Sequence, residues 1–203
     1  MTFRPEDFTS TADKLVHALS DAGWTITPFG VEHYPTPVVE ALQGVYDSTS
    51  LYVRTRPDYL ATRGGAECYL LECKDCTRTA DSTGNFSVEA IPWFIARHLQ
   101  KINVRYLYVV DDPKLGMFLI RPDRQPFCDL CKILVPKNHE IYFERQMMQT
   151  LHLNFPRVPF ETVSLQPRPE ASGDPFILVP RSWLTGMNEG SRSIDSFARY
   201  GWR

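Results

Sequence analysis

Apolar positions change their spacing along the chain, and each change marks a different kind of element. Between residues 11 and 22, Ala12, Leu15, Val16, Leu19 and Ala22 recur at helical intervals and share one face. Ser10 or Thr11 can cap the start of that helix, and Gly23 can close its end. Trp24 to Phe29 fits a short strand or an extended connection. Thr36 to Gly44 fits a short helix, with Thr36 as cap, Pro37 in the first turn and Gly44 as the stop. The period then shortens. Leu51 to Thr55, Asp58 to Arg63 and Glu67 to Lys74 are runs of strand length, the last two flanking a Gly64-Gly65 turn. Residues 75–85 are polar and turn-rich, hence a loop. Ile91, Phe94, Ile95, Leu99 and Ile102 restore a helical stripe, which starts at about residues 89–91 because Pro92 is tolerated only in a first turn. Val104 to Val110 is a nearly continuous apolar run, as expected of a strand covered on both faces.

The order from residue 36 to 110 is therefore helix, three strands, helix, strand, which predicts an α/β core with a mixed central sheet. Beyond it, Met117 to Ile120 could add a strand and Glu140 to Leu151 a helix. Residues 156–180 hold six prolines and read as an extended surface segment, with Phe176 to Val179 as an edge strand. The tail carries Trp183, Phe197, Tyr200 and Trp202 among Arg181, Arg192, Arg199 and Arg203. Such aromatics could stack on bases, but docking of the tail on its own domain or on a partner subunit is preferred. The expected organisation is an N-terminal helix and connection over 1–35, the core over 36–125, and an irregular C-terminal extension over 126–203 packed on that core.

Composition narrows the class. With 43% hydrophobic and 23% charged residues the chain is an ordinary globular protein. No apolar run approaches the length of a membrane span, and the N-terminus lacks the basic start and apolar core of a secretory signal. The expectation is a soluble, cytoplasmic protein with no membrane partner. The net charge of −2 does not argue for nucleic acid. It is unevenly spread: residues 1–50 carry two basic and seven acidic side chains, and residues 51–203 carry twenty and seventeen. The second part is thus net positive, which permits a nucleic-acid partner. Five cysteines, an odd number, favour reduced thiols over a disulfide framework.

The chemistry concentrates in Arg56-Pro57-Asp58 and, after the Gly-Gly turn, Glu72-Cys73-Lys74. Phosphodiester hydrolysis needs charge neutralised on the scissile phosphate and hydroxide made near neutral pH. Mg²⁺ (or Mn²⁺) held by two carboxylates can do both, and a neighbouring lysine can orient or help deprotonate the water. Glu72 and Lys74, two apart on a strand, share a face. Register adds a condition. A plain two-residue Gly-Gly hairpin would set Asp58 opposite Leu71, whereas an odd-numbered loop sets it opposite Glu72, with Cβ atoms about 4.5–5.5 Å apart. The site therefore predicts an odd loop or a bulge at Gly64-Gly65.

This arrangement resembles the PD-(D/E)XK nuclease superfamily, which includes many restriction endonucleases, archaeal-type Holliday junction resolvases and phage exonucleases. The signature maps as Pro57-Asp58, thirteen intervening residues, then Glu72-Cys73-Lys74, and the resemblance spans about residues 36–110 with an αβββαβ order. It implies a restriction-endonuclease-like core and a metal-dependent DNA endonuclease. Asp58 and Glu72 would bind the metal, with the backbone carbonyl of Cys73 as a further ligand, and Lys74 would assist the water. It also implies an additional acid on the preceding helix, where Glu40 stands, and a polar residue at the helix after the second motif, where Glu89 is the candidate and Gln100 a weaker one. DNA is favoured over RNA on this resemblance alone. Cutting both strands of a duplex needs two sites or two events, which leaves room for a homodimer.

Other features compete. Cys73-x-x-Cys76 and Cys128-x-x-Cys131 have zinc spacing, but Cys73 should point away from Glu72 and Lys74, so buried or incidental thiols are preferred. Arg54, Arg56, Arg63 and Arg78 flank the site strands and suit phosphate contacts or solvated strand edges. His17 and His98 read as packing residues, and His33, His139 and His152 belong to no constellation. The rival from another class is a catalytically silent nuclease-fold protein that binds nucleic acid or a protein partner.

Overall fold

The computed structural model describes residues 5–43, 53, 55–75, 85–124, 132–136, 160–163, 176–185 and 190–202. Among them the main sheet has six strands in the order β1-β2-β3-β5-β6-β10. These are β1 (Thr25–Pro28), β2 (Tyr59–Arg63), β3 (Glu67–Asp75), β5 (Tyr106–Asp112), β6 (Gly116–Ile120) and β10 (Ser191–Ser193). Only the β3–β5 pairing is parallel, so the chain is α/β with a mixed, mostly antiparallel sheet. A second sheet joins β4 (Asn85–Glu89), β9 (Phe176–Pro180), β7 (Lys132–Pro136) and β8 (Phe160–Val163) in that order.

The helices are α1 (Pro5–Asp21), α2 (Thr36–Gln43), α3 (Ala90–Lys101), α4 (Ser182–Thr185) and α5 (Ile194–Tyr200). Pro92 is the third residue of α3, inside the first turn, where its missing N–H costs nothing. None of the described helices is long and apolar enough to cross a membrane.

Two hydrophobic clusters cover opposite faces of β3 and β5. Tyr69, Leu71 and Cys73 of β3 pack with Leu15, Leu19, Trp24 and Phe197, so α1 and α5 cover this side. Tyr106, Tyr108 and Val110 of β5 pack with Phe86, Trp93, Ile177 and Val179, so α3 and the second sheet cover the other. Tyr106 to Val110 are buried, as the nearly continuous apolar run predicts, and β5 goes on into two buried acids, Asp111 and Asp112, which that run does not predict; Arg105, inside the run, is exposed.

Several expectations need correction. The first of the three strands, Leu51 to Thr55, lies partly outside the described residues; within it Val53 is helical and Thr55 is in a turn. The third strand between the helices is instead β4, and it leaves the main sheet to pair with β9. Phe176 to Val179 is not an edge: β9 lies between β4 and β7, with Ile177 and Val179 fully buried. His17 does not pack in the core, since it is exposed and pairs with Asp21 at 3.3 Å; His98 is also exposed. The region 140–151 and most of 75–85 lie outside the described residues.

The tail docks on its own domain. Phe197 is fully buried, stacked on Trp24 at 5.0 Å and edge-on to Tyr69 at 5.1 Å. Trp24 Nε1 donates to the Ala198 carbonyl, and Arg63 caps α5 through the Ala198 and Arg199 carbonyls. Cationic donors suit that negative helix end. Gly201 follows with φ +64°, a conformation that favours glycine, and a Cβ there would also displace the Glu67 carboxylate from Arg63.

Candidate active site

The β2–β3 hairpin sets the site. Arg63 pairs with Glu67, and the three residues Gly64, Gly65 and Ala66 form the loop, an odd number as the site requires. Gly64 and Gly65 take φ of +58° and +69°, and the Ala66 N–H donates to the Arg63 carbonyl. Ala66 is the extra residue before the ladder resumes. The register runs to Tyr59↔Leu71, and its next step puts Asp58 opposite Glu72 on the face that looks towards α3.

β2 stops at Tyr59 for a local reason. Pro57 would be the next ladder partner, opposite Cys73, but proline has no N–H to return. The Asp58 carboxylate takes over: its Oδ2 accepts from the Cys73 amide at 2.6 Å. A short charge-assisted bond of this kind contributes about 1.5–3 kcal/mol. The Asp58 carbonyl meanwhile accepts from Phe29 N at 2.8 Å and Gly30 N at 3.2 Å, which ties the loop after β1 to the same residue. Asp58 is thus held from both sides and is only 8% exposed.

Glu72 is 7% exposed. Its Oε1 lies 2.7 Å from Lys74 Nζ, and its Oε2 accepts from the Tyr106 hydroxyl at 3.4 Å. Lys74 also reaches Glu89 Oε2 at 2.5 Å. Glu89 ends β4 and stands at the N-cap of α3 without capping it by its side chain, which leaves the carboxylate for the lysine. The result is a chain of charges, Glu72–Lys74–Glu89, with Asp58 across the strand pair. Burial by itself would lower the Lys74 pKa, but Glu72 first, then Glu89, Tyr108 and Asp58, raise it, and the balance lies well above the ordinary lysine value. Burial, then Glu72, pushes both Tyr106 and Tyr108 well above the ordinary tyrosine value, so both hydroxyls keep their protons. The Tyr108 hydroxyl is fully buried and has no hydrogen-bond partner among the described residues.

Of the residues singled out in the sequence, Asp58, Glu72, Lys74 and Glu89 come together. Cys73 contributes its amide, while its side chain lies in the opposite cluster as expected. Glu40 does not join them: it is exposed on α2, and no described contact links it to the site. Gln100 is committed elsewhere, donating to the Tyr106 carbonyl and accepting from Asp123 N. Arg63 is likewise committed, to Glu67 and α5. Cys76, Cys128, Cys131, Arg54 and Arg78 lie outside the described residues. Tyr106 and Tyr108 were missed because they read as part of an apolar run. Their spacing of two, in parallel register with Leu70 and Glu72, was the available signal.

Among the described residues no three His, Cys, Asp or Glu side chains form a group that could hold a metal ion by themselves. The arrangement offers two hard carboxylates on adjoining strands, a cation beside them and an unsatisfied hydroxyl. Neither the models of known protein families nor the curated proteins give a match for this chain.

Proposed function

We propose that this chain is a divalent-metal-dependent nuclease of the PD-(D/E)XK type that hydrolyses DNA phosphodiesters. The observation that carries this reading is the opposition of two buried carboxylates, Asp58 and Glu72, with Lys74 Nζ 2.7 Å from Glu72. A purely structural core has little reason to bury two acids on one face, because each buried charge costs several kcal/mol unless fully paired.

The residues fit a hard cation. Two carboxylates and a backbone carbonyl are oxygen donors, and a site with only two acids leaves positions for water, as Mg²⁺ or Mn²⁺ prefers. The buried Tyr108 hydroxyl, without a partner among the described residues, supports a polar occupant beside Glu72. Asp58, Glu72 and the Cys73 carbonyl would hold the ion. When bound, it supplies Lewis-acid neutralisation of the scissile phosphate and makes hydroxide accessible near neutral pH. Lys74 orients the attacking water and offsets negative charge as the phosphorus gains its fifth oxygen. Glu89 fixes the Lys74 ammonium, and Tyr106 fixes the second oxygen of Glu72. A homodimer would place two such sites on one duplex.

One observation favours a second reading, a catalytically silent protein that binds nucleic acid or a protein partner. The Glu72–Lys74–Glu89 chain satisfies its own charges without an ion. Mg²⁺ or Mn²⁺ binding that disappears in Asp58→Ala separates the two.

The direct test is cleavage of labelled duplex, single-stranded and four-way-junction DNA with Mg²⁺, Mn²⁺ or EDTA. We expect metal-dependent cutting that falls about 10²–10³-fold in Lys74→Ala, as for the loss of one transition-state donor. No cutting of any substrate, or equal cutting by the variant, selects the silent protein.

A further inference from the structure

Two arginines border the site strands, and they are used in opposite ways. Arg63 spends its guanidinium on Glu67 and on the carbonyls of α5. Arg56 makes no ion pair or side-chain hydrogen bond among the described residues; it lies over the Phe29 ring, 3.8 Å from its centroid, with the Tyr34 ring at 5.4 Å. Stacking uses the flat face of a guanidinium and leaves its in-plane donors to meet a planar or tetrahedral anion. All three side chains are half-buried. A cation taken partly out of water, with no counter-ion among the described residues, is suited to receive an anion.

Its place is set by the same bonds that set Asp58. Phe29 donates its N–H to the Asp58 carbonyl, so the ring under Arg56 is fastened to the proposed metal ligand. Pro57 restricts Arg56 to extended backbone and is itself buried, which fixes the two-residue step from Arg56 to Asp58. The Arg56 backbone is therefore held two residues from Asp58, with its guanidinium stacked on a ring fastened to that same residue.

We infer that Arg56, held on Phe29 and Tyr34, binds a backbone phosphate of the nucleic-acid strand next to the phosphate that is cut. This rests on the nuclease reading and makes Arg56 a positioning residue that registers the strand over Asp58 and Glu72. Arg63 has no such role, because its donors are consumed by Glu67 and the carbonyls of α5.

The test is binding of a fluorescein-labelled 20-base-pair duplex, followed by anisotropy in EDTA between 0.05 and 1 M salt. One phosphate contact contributes about 0.9 to the slope of log affinity against log salt. We expect Arg56→Gln to lower the slope by about 0.9, and affinity by about eightfold at 0.1 M salt, with the difference closing towards 1 M. Arg56→Lys keeps the charge and should keep the slope. Phe29→Leu should weaken binding with the slope retained, and it serves if Arg56→Gln fails to fold. Arg105→Gln, the same charge change at an exposed position where β5 begins, should leave the slope unchanged. Binding by the wild type with an unaltered slope in Arg56→Gln, or equal loss in Arg105→Gln, overturns the Arg56 assignment and leaves the nuclease reading standing. Absence of duplex binding by the wild type overturns the Arg56 assignment, whereas the nuclease reading falls only with the cleavage assay on all three substrates.

Discussion

The two faces of β3 are built from alternate residues of one strand, yet they follow different rules. Tyr69, Leu71 and Cys73 meet Leu15, Leu19, Trp24 and Phe197 in a cluster of apolar and aromatic side chains. Leu70, Glu72 and Lys74 face the side of Tyr106 and Tyr108, where two carboxylates, an ammonium and an unsatisfied hydroxyl are packed under α3. Tyr69, Leu71 and Cys73 are all buried, and on the other face Glu72 is buried too, at 7% exposed, while Leu70 and Lys74 are half-buried, so solvent access does not account for the buried carboxylate. Apolar side chains of like volume would fill the second face at lower free-energy cost, since buried ion pairs commonly lose to hydrophobic replacements. A fold that keeps charges there gives up stability, which the proposed nuclease chemistry would account for.

That contrast can be broken from either side. Phe197→Ala removes the ring between Trp24 and Tyr69 and should cost about 3–5 kcal/mol, read by urea denaturation. A smaller loss would mean that the tail only lies against the core.

On the polar face, Glu72→Leu alone leaves Lys74 with a lost partner and should destabilise by about 3 kcal/mol or more. Adding Lys74→Met with Glu89→Gln, so that no member of the Glu72–Lys74–Glu89 chain is left unpaired, should restore stability to wild type or above. A triple variant no more stable than the single one would make the ion pairs structural and remove the contrast.

The smallest effect concerns Asp112, a buried acid of a different kind. Burial raises its pKa, but hydrogen bonds from Arg181 and from the amides of Lys114 and Leu115 outweigh that and leave it below the ordinary aspartate value. The carboxylate therefore stabilises the fold above the unfolded pKa of about 3.9, and this contribution disappears as pH falls through the lower folded value. Asp112→Asn should cost about 1–3 kcal/mol at pH 7. Melting curves of the two proteins should converge as pH falls below about 4; a pH-independent difference would count against a charge effect.

Much of this was readable in advance where spacing and chemistry agreed. β3, α3 and β5 follow from their periods, and the three-residue loop follows from requiring Asp58 to oppose Glu72. The rest lacked a local signal. β10 is Ser191-Arg192-Ser193, with no apolar side chain, and becomes a strand only because β6 offers it an edge. β4 alternates Phe86 and Val88 too briefly to stand out from a polar loop, and its move to a second sheet depends on β9, some ninety residues later. Glu40 looked right because a helix precedes the sheet, but sequence order does not specify which face of that helix turns inward.

Trp24 and Ala198 are joined by a hydrogen bond across 174 residues. During synthesis at about 5–20 residues per second, roughly 10–35 s separate the emergence of these partners. Until Phe197 emerges, Trp24 and, once it is made, Tyr69 lack the ring that covers them in the fold, and β6, once made, lacks β10 on its edge. An aromatic patch is thus exposed longest at the residue made first.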